Sequence, residues 1–324
     1  MKAYQMTQAG QPPAVCDIPV PEPAAGQVQI RIGACGLNFA DLLMAKGTYQ
    51  ETPPVPFTLG LELAGTVTAL GAGVSAPAVG TRVSVFAGQG GLAEYGVFDA
   101  RMCTVLPDDM PFTEAAAFQV AYGTSHLALE HRAHLQPGET LVVTGAAGGV
   151  GLTAVEIGKL MGATVIAIAR GASKLEVARQ AGADHLIDAE SDDILGQLKA
   201  LGGVDVVYDA VGGDLFKACF RACKPEARML VIGFAGGGVP EIKANHLLVK
   251  NISVIGHYWG GYLKFAPQIL TGSQATLLDW YREGKLKPHV SHALPLEQSG
   301  DAMELIRTRK STGKVVVKMP GSEA

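Results

Sequence analysis

The sequence predicts an α/β protein with two domains, one β-rich and barrel-like and one built on a doubly wound parallel sheet. Short β-type runs separated by Pro and Gly indicate the first domain over residues 1–120. Strand and helix patterns that alternate over residues 121–261 indicate the second, because such alternation forms parallel sheets. A length of 324 residues also favours two hydrophobic cores. We expect residues 262–324 to return to the first domain, since the terminal Val315-Val316-Val317 run needs a sheet to join.

The individual elements follow from apolar runs and from the glycines that end them. In the first domain, β-type runs cover 28–32, 65–70 and 82–86. In the second, we predict strands at 140–144, 164–169, 185–188, 205–209, 229–232 and 252–255, and helices at 149–161, 174–181 and 214–223. Gly162 and Gly182 follow two of these helices, as C-terminal caps often do.

Composition argues against several classes of function. The net charge of −4 disfavours a nucleic-acid partner, since such binding needs clustered Lys and Arg. The N-terminal residues lack a signal-peptide core, and no apolar run approaches the roughly 18 residues that span a bilayer. Five cysteines without a Cys-x-x-Cys pair fit free thiols in a reducing compartment. We therefore expect a cytoplasmic protein with no membrane partner.

The strongest motif is a buried strand that runs into a glycine-rich turn and then a helix. The turn reads Ala146-Ala147-Gly148-Gly149-Val150-Gly151. A dinucleotide pyrophosphate binds in this setting, because unpaired N–H groups and the helix dipole favour negative charge at a helix N-terminus. Gly148 would allow close approach of the pyrophosphate, and Gly151 close packing of helix on strand. Such a pattern alone often marks only a tight turn, but the alternating units that follow favour the dinucleotide site.

The residues after the next strand indicate which dinucleotide binds. NAD-selective sites usually place Asp or Glu there to bind the ribose 2′-hydroxyl. This chain has Ala169 followed by Arg170, with Ser173 and Lys174 close behind. Two cations in place of a carboxylate attract a 2′-phosphate, so we predict NADPH as the cofactor. The alternative is that Arg170 and Lys174 are ordinary solvated residues at a helix start.

Four stretches spread over most of the chain share a family pattern. They are Gly33-Ala34-Cys35-Gly36-Leu37-Asn38-Phe39-Ala40-Asp41, Pro56-Phe57-Thr58-Leu59-Gly60-Leu61-Glu62-Leu63-Ala64-Gly65, the turn at 146–151, and Lys250-Asn251-Ile252-Ser253-Val254-Ile255-Gly256. In this order they resemble the medium-chain dehydrogenase/reductase superfamily and, within it, the quinone oxidoreductase branch. The resemblance implies a GroES-like catalytic domain, a Rossmann domain and a homodimer.

The same resemblance bears on metal binding. Zinc alcohol dehydrogenases of this superfamily take a thiolate ligand from a Gly-x-Cys-x-x-Asp motif and an imidazole ligand from a Gly-His-Glu motif. Here the corresponding positions hold Asn38 and Leu61, and neither side chain is a strong zinc ligand. We therefore expect a zinc-independent member with no metal ligands. Zinc-free members of the family reduce quinones or enones. In these reactions negative charge develops on an oxygen, and ordinary hydrogen-bond donors can stabilise it without a metal.

By resemblance, Asn38, Asp41 and Tyr49 are the expected catalytic residues. Asn38 would donate a hydrogen bond to the substrate carbonyl, and Tyr49 a hydrogen bond or a proton to the developing oxyanion. Two alternatives stay open, in which Asp41 caps a helix at 42–46 and Tyr49 is a core aromatic. Water is an alternative source of the proton.

The resemblance also implies cofactor contacts outside the glycine turn. They are Gly233, Phe234 and Ala235 after the fifth strand, His257 and Tyr258 after the sixth, and Arg309 near the C-terminus. Arg309 is alternatively one of several solvated cations at 307–310. The chain departs from the family at Ala189, where a Tyr often follows the third strand.

Together these expectations describe an NADPH-dependent oxidoreductase that transfers hydride to a quinone or an α,β-unsaturated carbonyl or acyl compound without zinc. Two other functions stay open. One is a non-catalytic, crystallin-like NADPH-binding protein, and the other is a zinc alcohol dehydrogenase with unusual ligands. The expected partner is a small-molecule substrate.

Overall fold

The computed structural model describes residues 1–321, and the chain divides into two units. The strands are β1 (Lys2–Met6), β2 (Ala14–Asp17), β3 (Gln27–Leu37), β4 (Phe57–Thr58), β5 (Glu62–Leu70), β6 (Arg82–Phe86), β7 (Tyr95–Asp99), β8 (Cys103–Val105), β9 (Thr140–Thr144), β10 (Thr164–Ala169), β11 (His185–Asp188), β12 (Val204–Asp209), β13 (Cys223–Val231), β14 (Ser253–Gly256), β15 (Val290–Pro295) and β16 (Lys314–Lys318). The helices are α1 (Phe39–Ala45), α2 (Phe112–Ala115), α3 (Gln119–His126), α4 (Gly149–Leu160), α5 (Ala172–Gln180), α6 (Ile194–Ala200), α7 (Gly213–Ala222), α8 (Ala244–Lys250), α9 (Tyr262–Phe265), α10 (Pro267–Arg282) and α11 (Ser299–Arg307). Across the described chain, every helix falls short of the length and apolar character that a bilayer crossing requires.

The first unit is β-rich and comprises Met1–Val120 with the segment from Pro288 onward. Its larger sheet has the order β15-β16-β3-β5-β6-β8, with β7 also paired to β3, and its smaller sheet has the order β2-β1-β4. β16 runs antiparallel to β3, so that Val316 lies opposite Gly36. Alternate residues of β3, such as Ile30 and Ile32, point into one buried core together with Val315 and Val317 of β16. The predicted return of the terminal Val run to the first domain is confirmed.

The second unit, Ala121–Lys287, contains a six-stranded sheet of order β11-β10-β9-β12-β13-β14. All its neighbouring strands are parallel. The central strands are buried along their length, as expected when helices cover both faces of a sheet. The predicted strands at 140–144, 164–169 and 185–188 are confirmed with the same bounds, and those at 205–209 and 252–255 differ by one residue. The strand predicted at 229–232 begins earlier, at Cys223, where the sequence predicted the end of a helix.

The turn between β9 and α4 depends on close backbone contacts. Gly145 has a φ of +63°, and Gly148 caps α4, which begins at Gly149. A Cβ atom on Gly151 would lie 2.1 Å from the carbonyl oxygen of Gly145. Only glycine at residue 151 therefore lets the helix start this close to the end of the strand.

The chain re-enters the first unit later than the sequence prediction placed it. Residues 262–287 belong to the second unit, and the return lies at Pro288. The cause is the packing of α10, whose Leu277 is fully buried. In the same helix, Ser273 Oγ lies 2.8 Å from His126 Nδ1, and the Trp280 ring meets the His126 ring edge-on at 5.3 Å.

Substitution of two helical glycines in the second unit tests the strand–helix contact. Gly151→Ala should lower the free energy of unfolding by about 1–3 kcal/mol, because the new methyl group meets the Gly145 carbonyl. Gly272→Ala is the matched control within α10. Its Cβ would meet nothing within 4 Å, and removal of a helical glycine should stabilise by about 0.5–1 kcal/mol. Urea unfolding measures both, and equal stabilities would contradict the contact.

Candidate active site

The junction between β3 and α1 holds two of the predicted catalytic residues. β3 ends at Leu37, and Asn38 is the N-cap of α1 with extended backbone angles of φ −127° and ψ 161°. Asp41, in the first turn, accepts the Asn38 N–H at 2.8 Å and the Gly60 N–H at 3.2 Å. The helix predicted at 42–46 thus begins earlier, at Phe39, and Asp41 caps it from within.

The carboxyl group of Asp41 is fully buried. Burial raises its pKa to about 7, against the opposing effects of the Asn38 N–H and the nearby Lys314 charge. Both oxygens of this group accept backbone N–H groups, so it links α1 to the loop before β5. Asp41 therefore holds the backbone N–H groups of Asn38 and Gly60, and burial brings the pKa of its carboxyl group close to neutral pH.

The side-chain amide of Asn38 has defined partners on both its atoms. Lys314 Nζ donates to Asn38 Oδ1 at 2.7 Å, and Asn38 Nδ2 donates to Glu62 Oε1 at 2.9 Å. A second, longer contact joins Asn38 Nδ2 to the carbonyl oxygen of Gly36 at 3.4 Å. Because Lys only donates and a carboxylate only accepts, these contacts determine which way the amide faces.

Glu62 and Lys314 form a buried ion pair that the sequence analysis missed. Their Oε1 and Nζ atoms lie 2.7 Å apart, and the side chains are 1% and 6% exposed. Glu62 Oε2 also accepts the N–H of Val120 at 2.9 Å. A sequence signal was present, since Glu62 interrupts an apolar stretch and Lys314 directly precedes the Val315-Val316-Val317 run. Charged residues at such core positions are rarely fully buried unless they are paired.

Tyr49 lies in the loop after α1, where it is half-buried and packs against the core of the first unit. Its carbonyl oxygen accepts the Thr52 N–H at 3.2 Å and the Thr52 hydroxyl at 2.8 Å. The ring thus has the packing expected of a partly buried core aromatic, and its assignment as a proton or hydrogen-bond donor stays a prediction.

In the second unit, the predicted 2′-phosphate residues follow β10. Arg170 comes directly after the strand, and its Nε lies 3.2 Å from Glu190 Oε1 in an exposed pair. Ser173 is exposed and Lys174 half-buried in the first turn of α5. An exposed ion pair contributes about 0–1 kcal/mol, so Glu190 holds Arg170 only weakly.

Buried polar contacts join the carboxyl ends of β9, β12 and β13. Asp209 is fully buried and accepts the Thr144 hydroxyl and the Gly212 N–H at 2.5 and 3.0 Å, while burial raises its pKa. The loop after β13 is bonded to the same region, with the Gly233 N–H on the Asp209 carbonyl and the Ala235 N–H on the Ala210 carbonyl. Phe234 between them is 37% exposed. The predicted residues 233–235 therefore follow the carboxyl end of β13, and in open parallel sheets ligands generally bind outside the carboxyl ends of the strands.

His257 follows β14 at the same edge and is 8% exposed. Neither ring nitrogen has a partner with good hydrogen-bond geometry in residues 1–321. Burial, with the nearby Arg132 charge, lowers the pKa of His257 to about 4 against a weaker effect of the Thr124 backbone, so the ring is neutral near pH 7. Tyr258 beside it is 41% exposed. Since buried polar atoms are normally bonded, this imidazole fits a site that a ligand completes.

The glycine turn also fits a dinucleotide. A Cβ atom built on Gly148 would meet only the Gly145 carbonyl oxygen, at 3.3 Å, so the remaining space over this residue is open. The first N–H groups of α4 lack partners within the helix, as at every helix N-terminus. Arg309, the last predicted cofactor residue, lies in the first unit, where it is exposed with a φ of +56° after α11.

Comparison with known proteins identifies the family. Residues 24–108 match the alcohol dehydrogenase GroES-like domain, and residues 149–271 match the zinc-binding dehydrogenase family. The quinone oxidoreductase-like protein 2 homolog of Nematostella vectensis is 41% identical over 297 residues, which cover 90% of this chain and 81% of the relative. The chain belongs to the quinone oxidoreductase branch of the medium-chain dehydrogenase/reductase superfamily.

Solved structures of this branch share the whole fold. The quinone oxidoreductase of Thermus thermophilus is 31% identical, with a TM-score of 0.87 over 98% of this chain and 100% of the other. The Escherichia coli quinone oxidoreductase is 27% identical, with a TM-score of 0.90 over the same shares. Both were solved in complex with NADPH. The predicted GroES-like and Rossmann domains are thereby confirmed.

The positions that carry zinc ligands elsewhere in the superfamily have a different chemistry in this member of the quinone oxidoreductase branch. Leu61 is a buried aliphatic residue, and the Asn38 amide is bonded to Lys314 and Glu62. Neither side chain offers the thiolate or imidazole that zinc prefers. In the part of the chain that the structure describes, no three His, Cys, Asp or Glu residues are grouped to hold a metal ion.

The pH dependence of unfolding tests the buried state of Asp41. A raised pKa means that the fold favours the protonated acid, so this stabilisation is complete below about pH 4 and is lost as pH rises through about 7. The loss is at most about 4 kcal/mol, from a rise of about three pKa units. Asp41→Asn should remove this part of the pH dependence, measured by urea unfolding between pH 4.5 and 8. Asp109→Asn is the control, because Asp109 is exposed and lies in the same unit. If the unfolding free energy of Asp41→Asn depended on pH as steeply as that of the unchanged chain, the raised pKa of Asp41 would be contradicted.

Proposed function

We propose that this chain is an NADPH-dependent oxidoreductase that transfers hydride, without zinc, to a quinone or an α,β-unsaturated carbonyl or acyl compound. The observation that carries the proposal is the turn at 145–151, where an open glycine faces the N-terminus of a helix. Membership of the quinone oxidoreductase branch supports it, as do two similar enzymes that were solved with NADPH. Bound NADPH would supply the hydride, and the protein supplies binding and orientation.

The preference for NADPH rests on the residues after β10. Ala169 stands at the end of that strand, and no carboxylate occupies the position from which NAD-selective enzymes bind the ribose. Arg170 is paired with the exposed carboxylate of Glu190, so a 2′-phosphate with greater negative charge would displace that partner. A further carboxylate close by, Asp188, is occupied by the Gly171 and Glu190 N–H groups. These contacts favour a phosphorylated ribose.

Among the other predicted cofactor contacts, His257 has the strongest support. Its imidazole is neutral, buried and without a well-formed hydrogen bond in the described residues, so it would accept or donate one hydrogen bond to a bound ligand. Gly233, Phe234, Ala235 and Tyr258 lie at the carboxyl ends of neighbouring strands. We assign all five residues to the nicotinamide-bearing end of the cofactor. Arg309 is kept as a weaker candidate.

The proposed acceptor follows from the hydrogen-bond donors of the first unit. Hydride addition to an enone or a quinone places negative charge on an oxygen, which a preorganised donor stabilises. Asn38 is half-buried and has one amide hydrogen in only a long contact, at 3.4 Å from the Gly36 carbonyl oxygen. We assign it as that donor. The proton that completes the reaction would come from water or from Tyr49.

We also propose a homodimer in the cytoplasm. In the described chain β14 pairs with β13 alone, so its other edge is open. Leu248 and Val249 in the preceding helix are 78% and 79% exposed, as is typical of a surface that a second copy covers. All five cysteines are free thiols, which fits a reducing compartment. Analytical ultracentrifugation tests the assembly, and a monomer at micromolar concentration would contradict it.

An acceptor panel tests the proposed reaction. The purified, chelator-dialysed protein should oxidise NADPH when quinones, enones or enoyl thioesters are added, and NADH should be far less effective. Asn38→Ala should lower kcat by about tenfold or more without changing the affinity for NADPH, because it removes a donor to the developing oxyanion. Stopped-flow absorbance at the nicotinamide band measures the rates.

Two results of the panel would point elsewhere. Tight NADPH binding without turnover of any acceptor would favour the non-catalytic, crystallin-like function. One equivalent of tightly bound zinc that is needed for activity would favour the dehydrogenase with unusual ligands.

A substitution of Arg170 tests the choice of nucleotide. Arg170→Ala should weaken NADPH binding by about tenfold, since a charge-assisted hydrogen bond contributes about 1.5–3 kcal/mol and Lys174 remains. NADH affinity should stay unchanged, because NADH has no 2′-phosphate. Arg179→Ala is the matched control, because Arg179 is an exposed arginine at the far end of α5, the helix that follows Arg170. Isothermal titration measures both nucleotides, and an equal loss for NADH would refute the 2′-phosphate role.

A further inference from the structure

The ion pair between Glu62 and Lys314 is costly to bury. The two side chains are 1% and 6% exposed, and each is removed from nearly all of its hydration. Replacing a buried ion pair with apolar residues of similar volume is often neutral or stabilising, so stability alone is a weak reason for such a pair. Its hydrogen bonds to Asn38, a candidate active-site residue, point instead to a role in the chemistry of that residue.

Both partners of the ion pair contact the same amide. Lys314 Nζ donates to Asn38 Oδ1, and Glu62 Oε1 accepts from Asn38 Nδ2. A flipped amide would place its NH₂ group against the ammonium and its oxygen against the carboxylate, so the flip is opposed at both ends. Glu62 is itself held through Oε2 by the Val120 N–H at 2.9 Å. The direction of the amide is therefore set by two charges rather than by packing.

One amide hydrogen of Asn38 is left in a weak contact. The first is bonded to Glu62 at 2.9 Å, whereas the second faces the Gly36 carbonyl oxygen at 3.4 Å, beyond the usual N–H···O range of about 2.7–3.2 Å. The ammonium group on Oδ1 draws electron density from the amide and strengthens its remaining N–H as a donor. Asn38 is half-buried, so this hydrogen can be offered to a ligand.

We propose that Lys314 is a positioning residue that, with Glu62, orients and polarises the Asn38 amide so that its second hydrogen binds the oxygen of the acceptor. The inference rests on the proposed function. In the reaction a hydride supplied by NADPH, which would be oxidised to NADP⁺, would add to carbon, the C=C or quinone π electrons would move to the oxygen, and the Asn38 hydrogen bond would stabilise that oxyanion. A proton from water or from Tyr49 would complete the reduction, and neither Lys314 nor Glu62 is assigned a part in that proton transfer.

Lysine variants test the inference in the intact chain under saturating NADPH. Lys314→Met should lower kcat on the order of tenfold to a hundredfold, as expected when a charge-assisted contact is lost, with the NADPH dissociation constant unchanged. Lys314→Arg should recover most of the rate, because it keeps the charge. Lys318→Met, on the same strand but outside the cluster, is the control and should match the unchanged chain.

Two combined variants separate positioning from structural damage. Glu62→Gln with Lys314→Met leaves no unpaired buried charge, so the protein should fold while kcat stays low. In an Asn38→Ala background, Lys314→Met should cause little further loss, because the lysine acts through the amide. A normal kcat in the Glu62→Gln/Lys314→Met chain would overturn the inference, as would losses that multiply in the Asn38→Ala background.

A binding assay separates this inference from the proposed function. The 4-nitrophenolate anion resembles the charged oxygen, and its absorbance reports binding to the protein with NADP⁺. Lys314→Met should weaken binding of this phenolate by about tenfold. An ether of the same phenol carries no charge, and its binding should stay unchanged. If no acceptor is reduced, the proposed function fails while this assay still decides on Lys314. Phenolate affinity that does not depend on Lys314 would overturn the inference.

Discussion

The hydrogen-bonded pair of Glu62 and Lys314 is the interaction on which the polar centre of the first unit depends. The pair joins β5 to β16. Lys314 also donates to Asn38 at the start of α1, and Glu62 accepts the N–H of Val120, where the first stretch of the unit, Met1–Val120, ends. Removal of either partner would leave a charge buried without compensation. These four segments are thus held together by two buried charges in addition to the backbone pairing of β16 and β5 with β3.

The second unit was the easier part to predict from sequence, and the reason is physical. Strands such as β9 and β10 are buried on both faces, so in the sequence each one is a continuous apolar run that is soon followed by a glycine. The sequence did not predict that α10 packs in the second unit, because the helix face that becomes buried depends on the surface it packs against. Its Ser273 and Trp280 meet His126 on a helix far away in sequence, and amphipathic spacing alone does not name that partner.

The site divides in the same way. The glycine turn could be predicted because six consecutive residues, 146–151, determine its backbone geometry. Asn38 and Asp41 could be predicted because they lie in one short motif. Lys314 and Glu62 are 252 positions apart, and nothing in either segment indicates that they meet. The pairing of Arg170 with Glu190 was also missed, since Glu190 approaches only when β10 and β11 align. Local backbone geometry can be read from a sequence, whereas long-range charge pairing requires the folded chain.

The position of β16 affects how the protein is made. This strand lies between β15 and β3 inside the larger sheet, although nearly all of the chain precedes it. A ribosome therefore completes the whole nucleotide-binding unit, Ala121–Lys287, before the strand that carries Lys314 has been synthesised. In that interval residues 34–37 of β3 lack their partner strand and Glu62 lacks its counter-ion, so the first unit is incomplete until β16 has been made. The hydrogen bonds of Lys314 with Asn38 and Glu62 therefore form only after the second unit has been synthesised.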